Sequence, residues 1–459
     1  MSDPTFEQLH DQLAADPERP LSRIDRRRFL QGALIAGGAL VVPAAFADYL
    51  GAQTGLDTVV LTITLGGGND GLNSFGAFSN GRYRDARGRL AINASNAHSV
   101  GNGLSFHPNL GRLASRYRSG DVAVISGIGE PQRDLSHFSN MARWLSANPG
   151  GRITGTGWLG RWLDTSNSTA FSGVAVGGSG VPLHFRGADS EVTDLPSSGG
   201  NSLYGADTSE GRDRRLYTAI RSMQTDPNRS EWANRVGEVN ALSISTAQEV
   251  APAFARDLPE GELANDLVLA ARVINLNLGT RMLNVWHGGY DLHDNQIGAN
   301  SSVGDHADLL QELDASIDVF FRTLSARMAE RVVVIVYSEF GRRVEANGSN
   351  GTDHGTSSHM FAIGDRVAGG LYGDIPPLNA LDDRGNLRVT TDFRRAYATV
   401  LEDALGSPSQ PILGGTYPTI DFLTAGSTST STSGSAAQRI RDRRESRLED
   451  YLIEHSATS

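Results

Sequence analysis

The chain has 459 residues, a formal net charge of -11 at pH 7 and a sequence pI near 5.5, a balance that argues against nucleic-acid binding as its main function. It contains no cysteine, and all 41 of its basic residues are arginine. These absences exclude thiolate nucleophiles, Cys-ligated metal sites, Schiff-base catalysis and P-loop NTP hydrolysis.

The amino terminus has the pattern of an export signal. Residues 26–31 read RRRFLQ, an apolar Gly/Ala-rich stretch follows, and residues 45–47 read AFA. The pattern predicts a twin-arginine signal peptide over residues 1–47, read by the twin-arginine export machinery and cleaved after Ala47. The apolar stretch of about 15 residues is shorter than the roughly 20 that span a bilayer. We therefore expect a periplasmic or secreted protein with no membrane span in its mature form.

Strand and loop patterns begin directly after this signal. The β-branched run at residues 58–65 predicts a strand that enters a glycine-rich loop at residues 66–71. A helix is predicted over residues 107–119 and a second strand over residues 121–126. The segment from about 165 to 212 is rich in Gly and Ser without a clear period, and is expected to form surface loops or a small insertion.

The second half of the chain alternates helices and strands. Helical spacing of apolar residues predicts helices over residues 262–276 and 307–329, and apolar runs predict strands over residues 282–286 and from Val332. A last core helix is predicted over residues 393–405. This order favours a doubly wound, mostly parallel α/β sheet with helices on both faces, spanning residues 48–425. Residues 426–459 are expected to form a Ser/Thr-rich linker and a charged helix.

Polar side chains follow several of the predicted strands. Asp70 comes after the first strand, Asp291 and His293 follow the strand at 282–286, and Glu339 follows the strand that begins at Val332. Ligands in parallel sheets bind beyond the carboxyl ends of the strands. These residue types, together with Asp353 and His354, ligate divalent metals. Because the set mixes carboxylates with few histidines, zinc, magnesium, manganese and calcium all remain open.

The glycine-rich loop has a second interpretation. Residues 66–71 match G-x-G-x-x-G after a strand, which suggests a dinucleotide-binding turn. Such a turn requires an amphipathic helix directly after it, whereas residues 74–89 are rich in Gly, Asn and Arg. The alternative is that the glycines let the backbone crowd around Asp70, so that its carboxylate can hold a cation.

Two further residues are candidates for catalysis. Ser136 stands where a helix could begin, so it is either a simple N-cap or a hydroxyl nucleophile activated by a metal and the helix dipole. Arg342 follows the Val332 strand closely and could clamp an anionic substrate.

Together these segments resemble the exported bacterial proteins grouped as domain of unknown function 1501. The resemblance is carried by LGGGNDGLN at residues 65–73, SHF at 136–138, YDLH at 290–293, SEFGRR at 338–343 and GTDHG at 351–355. That family is similar to the alkaline phosphatase and sulfatase superfamily. The resemblance implies an alkaline-phosphatase-like fold, a metal-dependent hydrolase site at the carboxyl ends of the strands, and Ser136 in the position of the nucleophile.

The resemblance leaves two alignments of the metal ligands open. In the preferred one, Glu339 replaces the strand-end aspartate of the superfamily, Phe340 stands in place of a ligating histidine, and His354 is the distal histidine. In the other, residues 353 and 354 are the strand-end pair, Glu339 lies behind the ligands, and His359 is the distal histidine.

The resulting hypothesis is an exported metal-dependent hydrolase that uses Ser136 to cleave an anionic small-molecule or polymer ester of phosphate or sulfate. The first alternative is a non-catalytic binding or scaffold protein that retains the fold, which the Phe340 substitution favours. The second is an exported dinucleotide-dependent oxidoreductase.

Overall fold

A nine-stranded sheet forms the centre of the computed structural model of this chain. The structure describes residues 58–424, except 133, 150–152, 167, 179 and most of 198–248. The predicted signal peptide and the predicted carboxyl-terminal linker and helix lie outside the described residues, and both stay predictions.

Twelve strands are found among the described residues. They are β1 (Val59–Leu65), β2 (Phe75–Gly76), β3 (His98–Gly101), β4 (Leu104–Phe106), β5 (Val122–Gly129), β6 (Gly173–Val176), β7 (Thr193–Leu195), β8 (Met282–His287), β9 (Val332–Ser338), β10 (Ser358–Ile363), β11 (Gly370–Tyr372) and β12 (Thr391–Asp392).

The main sheet has the order β11-β5-β10-β9-β1-β8-β6-β7, with β12 also paired to β5. Strand β1 lies between β8 and β9 and is parallel to both. Only β10 runs antiparallel to its neighbours, β5 and β9. Strands β2, β3 and β4 form a separate three-stranded antiparallel sheet. The expectation of a mostly parallel sheet is therefore confirmed.

Ten helices accompany these strands in the described part of the chain. They are α1 (Gly71–Ser74), α2 (Gly81–Arg87), α3 (Gly111–Arg118), α4 (His137–Ser146), α5 (Trp158–Thr165), α6 (Glu262–Asn275), α7 (Asp305–Thr323), α8 (Ala326–Ala329), α9 (Phe393–Thr399) and α10 (Ser409–Leu413), and a π-helical turn at Val400–Ala404 continues α9.

Helices cover both faces of the sheet, as predicted. Every residue of β1 and β9 is buried, so side chains that alternate along each strand enter two different cores. Leu61 and Val334 belong to the core shared with α6 and α7. Val60 and Ile335 belong to the core shared with α5 and α9.

The structure corrects the prediction for the segment 165–212 in its described part, which ends at residue 197. Strands β6 and β7 lie in this segment and extend the main sheet beyond β8. They were missed because each is only three or four residues long and lies among glycines and serines. No helix in the described residues is long and apolar enough to cross a membrane.

Candidate metal centre

The candidate site lies at the carboxyl edge of the main sheet. Asp291 and His293 lie in the loop after β8, and His137 begins α4, the helix that follows β5. His354 precedes β10, and because this strand is antiparallel, its amino end lies at the same edge. Residues distant in sequence are thus brought together by the topology of the sheet.

Three side chains that could hold a metal ion converge at this edge. The Nε2 atom of His137 lies 3.0 Å from Nε2 of His354 and 3.3 Å from Oδ1 of Asp291. The His354 and Asp291 atoms are themselves 3.2 Å apart. His293 adjoins the group, with its Nε2 atom 2.8 Å from Nε2 of His354 and 3.1 Å from Oδ1 of Asp291. Three imidazole nitrogens therefore surround one carboxylate oxygen.

In His137 and His354, the Nδ1 atom, which points away from the cluster, lies within hydrogen-bonding distance of an acceptor oxygen. Nδ1 of His354 lies 2.7 Å from the carbonyl oxygen of Leu135, and Nδ1 of His137 lies 2.8 Å from Oε1 of Glu339. A carbonyl oxygen only accepts hydrogen bonds, as does an ionised carboxylate, so each ring donates its Nδ1–H. When the ring is neutral, Nε2 then carries a lone pair, the form in which imidazole binds metal.

His293 is held in the same way at the solvent side. Its Nδ1 atom lies 3.3 Å from Oδ1 of Asp353, which also accepts a 3.2 Å hydrogen bond from the side chain of Asn347. Asp353 is exposed and lies behind His293. The sequence-predicted ligand Asp353 thus orients a histidine in this structure.

Glu339 is almost completely buried and is held by the glycine-rich loop. Its two carboxylate oxygens accept hydrogen bonds from the backbone N–H groups of Gly67 at 3.0 Å and Gly68 at 3.1 Å, and from Ser338 Oγ at 2.8 Å. The loop amides that a dinucleotide pyrophosphate would need are therefore engaged by a protein carboxylate. Through Glu339, the loop fixes the ring of His137.

Arg342 ties the loops of the site together. Its buried guanidinium donates to Oδ1 of Asp291 at 2.6 Å, and to the backbone oxygens of Gly68 at 2.7 Å, Thr352 at 2.8 Å and Tyr290 at 3.0 Å. It also donates to the backbone oxygen of Gly67. With these acceptors in place, the guanidinium organises the loops and Asp291, and it is not presented to an anion from solvent.

The pKa shifts of the cluster act in different directions: Asp291 and His354 are shifted toward the forms that bind a metal, whereas His137 is shifted toward its protonated form. Partial burial raises the pKa of Asp291, but the hydrogen bond and positive charge of Arg342 outweigh it and lower the pKa to about 2. The hydrogen bond to Glu339 raises the pKa of His137. Burial lowers the pKa of His354, which favours its neutral, metal-binding form.

Phe340 packs beneath the imidazoles. Its ring centroid lies 4.8 Å from that of His137 and 4.8 Å from that of His354. A Cβ atom at Gly68 would lie only 2.3 Å from the Phe340 ring, so the neighbouring loop requires glycine there. Phe340 thus supports two histidine rings from the position where the superfamily resemblance places a ligand.

Asp70 forms an ion pair with Arg87 outside the histidine cluster. Its carboxylate forms a buried two-pronged ion pair with Arg87, one contact of which is 2.8 Å, and accepts a 2.7 Å hydrogen bond from Gln296. Burial raises the pKa of Asp70, but the positive charge and hydrogen bonds of Arg87 outweigh this and lower it. The structure does not bring Asp70 to the histidine cluster.

Ser136 occupies the N-cap position of α4, directly before His137. Its side chain makes no capping hydrogen bond, and its backbone N–H donates to Oδ1 of Asp134 at 2.9 Å. The residue is exposed. The hydroxyl is therefore not used to cap the helix.

The structure divides the sequence-predicted residues into three groups. Asp291, His293 and His354 meet directly. Glu339 contacts His137, Asp353 contacts His293 and Arg342 contacts Asp291, each from behind the cluster. Asp70 and the alternative ligand His359 lie outside the cluster.

His137 was not predicted as a ligand, because the SHF motif at residues 136–138 was interpreted as the position of a serine nucleophile. The sequence did contain a signal for this ligand: His137 directly follows a predicted N-cap residue in the segment after a predicted strand.

The comparisons with known proteins identify a family. The model of the family described as "Protein of unknown function (DUF1501)" matches residues 89–393. No curated protein matches the chain.

Several solved structures resemble this one in part. A protein in the alkaline phosphatase superfamily from Vibrio parahaemolyticus is 9% identical, with 77% of this chain and 70% of that chain covered and a TM-score of 0.36. The PsFucS1 sulfatase from Pseudoalteromonas sp. is 13% identical, with 83% and 75% covered and a TM-score of 0.38. The C-terminal periplasmic domain of EcEptC from Escherichia coli, in complex with Zn, is 8% identical, with 67% and 73% covered and a TM-score of 0.31.

Proposed function

The chain belongs to the DUF1501 family, and we propose that it is a metal-dependent hydrolase of phosphate or sulfate esters. The metal would be held by His137, Asp291 and His354, with His293 as a further ligand. One observation carries the proposal: the Nε2 atoms of the three histidines lie 3.1 to 3.3 Å from a single carboxylate oxygen of Asp291. In rings protonated only at Nδ1, these nitrogens direct lone pairs toward that oxygen. Electron-rich atoms grouped in this way repel one another unless a cation lies among them.

The donor atoms fit zinc better than magnesium or calcium. Imidazole nitrogens suit zinc, whereas magnesium and calcium prefer oxygen ligands. Two donors bound to one zinc ion at about 2.0–2.1 Å cannot be more than about 4.2 Å apart. The 3.0, 3.2 and 3.3 Å separations among His137, Asp291 and His354 meet this condition. Histidine ligands that donate their other N–H to a carboxylate or carbonyl are typical of zinc sites.

The residues around the ligands have defined tasks. Glu339 and the Leu135 carbonyl fix the rings of His137 and His354, and Arg342 holds Asp291 in its ionised form. When bound, a divalent cation supplies a Lewis acid that polarises an ester oxygen and lowers the pKa of a nearby hydroxyl. Asp291 and His293 are each nearly half exposed, so an ester can reach the cluster from solvent.

We assign the nucleophile to Ser136. The Ser136 hydroxyl makes no capping hydrogen bond, and the residue directly precedes His137 in the chain. Ser136 lies at the amino end of the ten-residue helix α4, where the helix dipole favours an anionic group. In the first step the Oγ–P or Oγ–S bond forms and the ester C–O oxygen departs from phosphorus or sulfur. The Oγ proton passes to solvent and the departing oxygen takes a proton from water. Water then cleaves the seryl ester and regenerates Ser136.

The hydrolase proposal predicts that metal removal stops turnover. Protein purified from a host that exports it should carry stoichiometric zinc and hydrolyse nitrophenyl phosphate or nitrophenyl sulfate. Chelation should reduce the rate to background, and zinc should restore it. Metal analysis and the two rate assays are made on the same preparation. Stoichiometric metal without turnover of either ester would instead favour the non-catalytic binding protein, and absence of metal would contradict both the site and the hydrolase.

The export proposal is tested separately. We propose that the mature protein begins at Asp48 outside the cytoplasm, because the Arg26-Arg27 pair precedes an apolar stretch and an A-x-A site. Replacing both arginines by lysine should leave the uncleaved precursor in the cytoplasm. Cell fractionation and amino-terminal sequencing measure the result. Normal export of the double variant would overturn the twin-arginine assignment.

A further inference from the structure

A cavity lies outside the cluster of proposed metal ligands. It has a volume of about 130 Å³ and is lined by parts of three segments, residues 72–83, 357–359 and 375–387. None of the metal-site residues lines it. Ile375 in its wall is 42% exposed, so the cavity has an access route from solvent.

Most of the cavity wall is apolar and none of its lining side chains is charged. Leu72, Phe75, Pro376, Pro377 and Leu378 provide the apolar surface. Tyr83 also lines the cavity, but its hydroxyl already donates to Asn73 Oδ1 at 2.9 Å and accepts from the backbone N–H of Ile92 at 2.9 Å. Asn80 is a further polar lining residue, and its Oδ1 accepts a 2.9 Å hydrogen bond from the backbone N–H of Arg82. The other polar side chains, of residues 357–359, lie on one wall.

Three consecutive residues on that wall have unused polar atoms. Ser357 Oγ, Ser358 Oγ and His359 Nδ1 are buried and make no hydrogen bond to any described residue. Ser357 is 3% exposed and Ser358 is 6% exposed. The pairing of β10 with β5 shifts between Ser358 and His359, and such a bulge turns neighbouring side chains out of strict alternation. This irregularity explains how adjacent residues line one cavity.

Buried polar atoms without a partner are costly, so these three atoms indicate a ligand with hydrogen-bonding capacity. Each hydroxyl can donate or accept. Burial lowers the pKa of His359 to about 4, so the imidazole is neutral near pH 7. A carboxylate or phosphate in the cavity would meet no positive charge, and an ammonium would meet no negative one.

We propose that this cavity is a binding site for a neutral, ring-sized molecule that carries one hydroxyl group, of the kind represented by phenol. The apolar wall would contact the ring and the Ser357, Ser358 and His359 wall would bind the hydroxyl. The volume fits this class, because an apolar protein cavity of about 150 Å³ is known to accommodate benzene. The inference does not depend on the proposed hydrolase activity.

The test compares three ligands of similar size on the intact mature protein. Phenol should bind saturably in ligand-observed NMR and raise the melting temperature in proportion to its concentration. Toluene, which lacks the hydroxyl, should bind about tenfold more weakly, and benzoate at pH 7 should not bind. Equal binding of phenol and toluene would overturn the role of the polar wall, and absence of phenol binding would overturn the site and leave a cavity for water.

Variants locate the binding. A double Ser357→Ala, Ser358→Ala variant should lose about tenfold in phenol affinity, and Ile375→Trp at the mouth should block entry. Ser115→Ala on the exposed face of α3 is the matched control and should bind like the parent. Undiminished phenol binding by both the double variant and Ile375→Trp would show that phenol binds elsewhere and would overturn the proposal. All measurements are repeated with chelator, so that loss of the metal and loss of this site give different results.

Discussion

Replacing His354 with Ala is expected to abolish stoichiometric metal binding and, with it, turnover of both aryl esters. His354 approaches the donor atoms of His137, Asp291 and His293 at 2.8 to 3.2 Å, so its removal takes away the nitrogen shared by the whole cluster. Chelation should also lower the melting temperature of the parent protein by several degrees. A metal whose concentration is 1,000 times its dissociation constant adds about 4 kcal/mol to the free energy of unfolding, and chelation removes this contribution.

The chelator separates metal loss from a structural defect. The His354→Ala variant should melt at the same temperature with and without chelator, since it has no metal to lose. His98→Ala is the matched control, because His98 is partly buried and its Nε2 atom lies 2.8 Å from the Pro108 carbonyl oxygen, outside the cluster. That variant should keep the metal and respond to chelator like the parent. A His354→Ala protein with a full complement of metal would refute the assigned ligand set.

The edge of the sheet at which the candidate site lies can be predicted from the sequence. The runs at β1 and β9 are long, apolar and buried on both faces, a pattern that specifies a central parallel strand. Once these strands are placed, the topology requires the residues after them to meet at one edge. The ligands predicted at this edge included Asp291, His293 and His354, whose side chains lie 2.8 to 3.2 Å from one another. They also included Asp70, which pairs with Arg87 instead.

The division between the proposed metal ligands and the residues that support them could not be predicted. Glu339 and Asp353 have the same chemistry as Asp291, but Glu339 is held by the Gly67 and Gly68 amides and Asp353 by Asn347. These contacts depend on loop conformation, which periodicity does not encode. Likewise, nothing near Asp70 in the sequence shows that Arg87, on another helix, neutralises it.

Short strands were the other features of the fold that could not be predicted from the sequence. Strand β10 reverses direction between two parallel neighbours, and this reversal brings His354 to the same edge as Asp291. Its sequence, SHMFAI, is short and begins with two polar residues, so no periodicity distinguished it from a loop. The position of His354 was predicted from its motif, whereas the strand that fixes this position was not predicted.

Replacing Ser136 with Ala is expected to lower turnover of the aryl esters by about 10³-fold or more while leaving metal content and melting temperature unchanged. A nucleophile contributes only to the chemical step, and its removal leaves binding and fold intact. Ser136 stands at the N-cap of α4, yet its side chain makes no capping hydrogen bond. The cost of about 1 kcal/mol that usually accompanies loss of a serine cap is therefore not expected.

Ser139→Ala, on the same helix, is the matched control for this result. The hydroxyl of Ser139 donates to Asp134, whose other oxygen accepts from the Ser136 backbone N–H, so its removal loosens the turn before α4 without touching the Ser136 hydroxyl. The control should remain active and melt slightly lower, the reverse of the Ser136→Ala pattern. Rates, metal content and melting are measured for both variants and the parent. If Ser136→Ala retains the parental rate while His354→Ala loses it, the metal site stands and the nucleophile must be sought elsewhere, because the two variants test separate parts of the same mechanism.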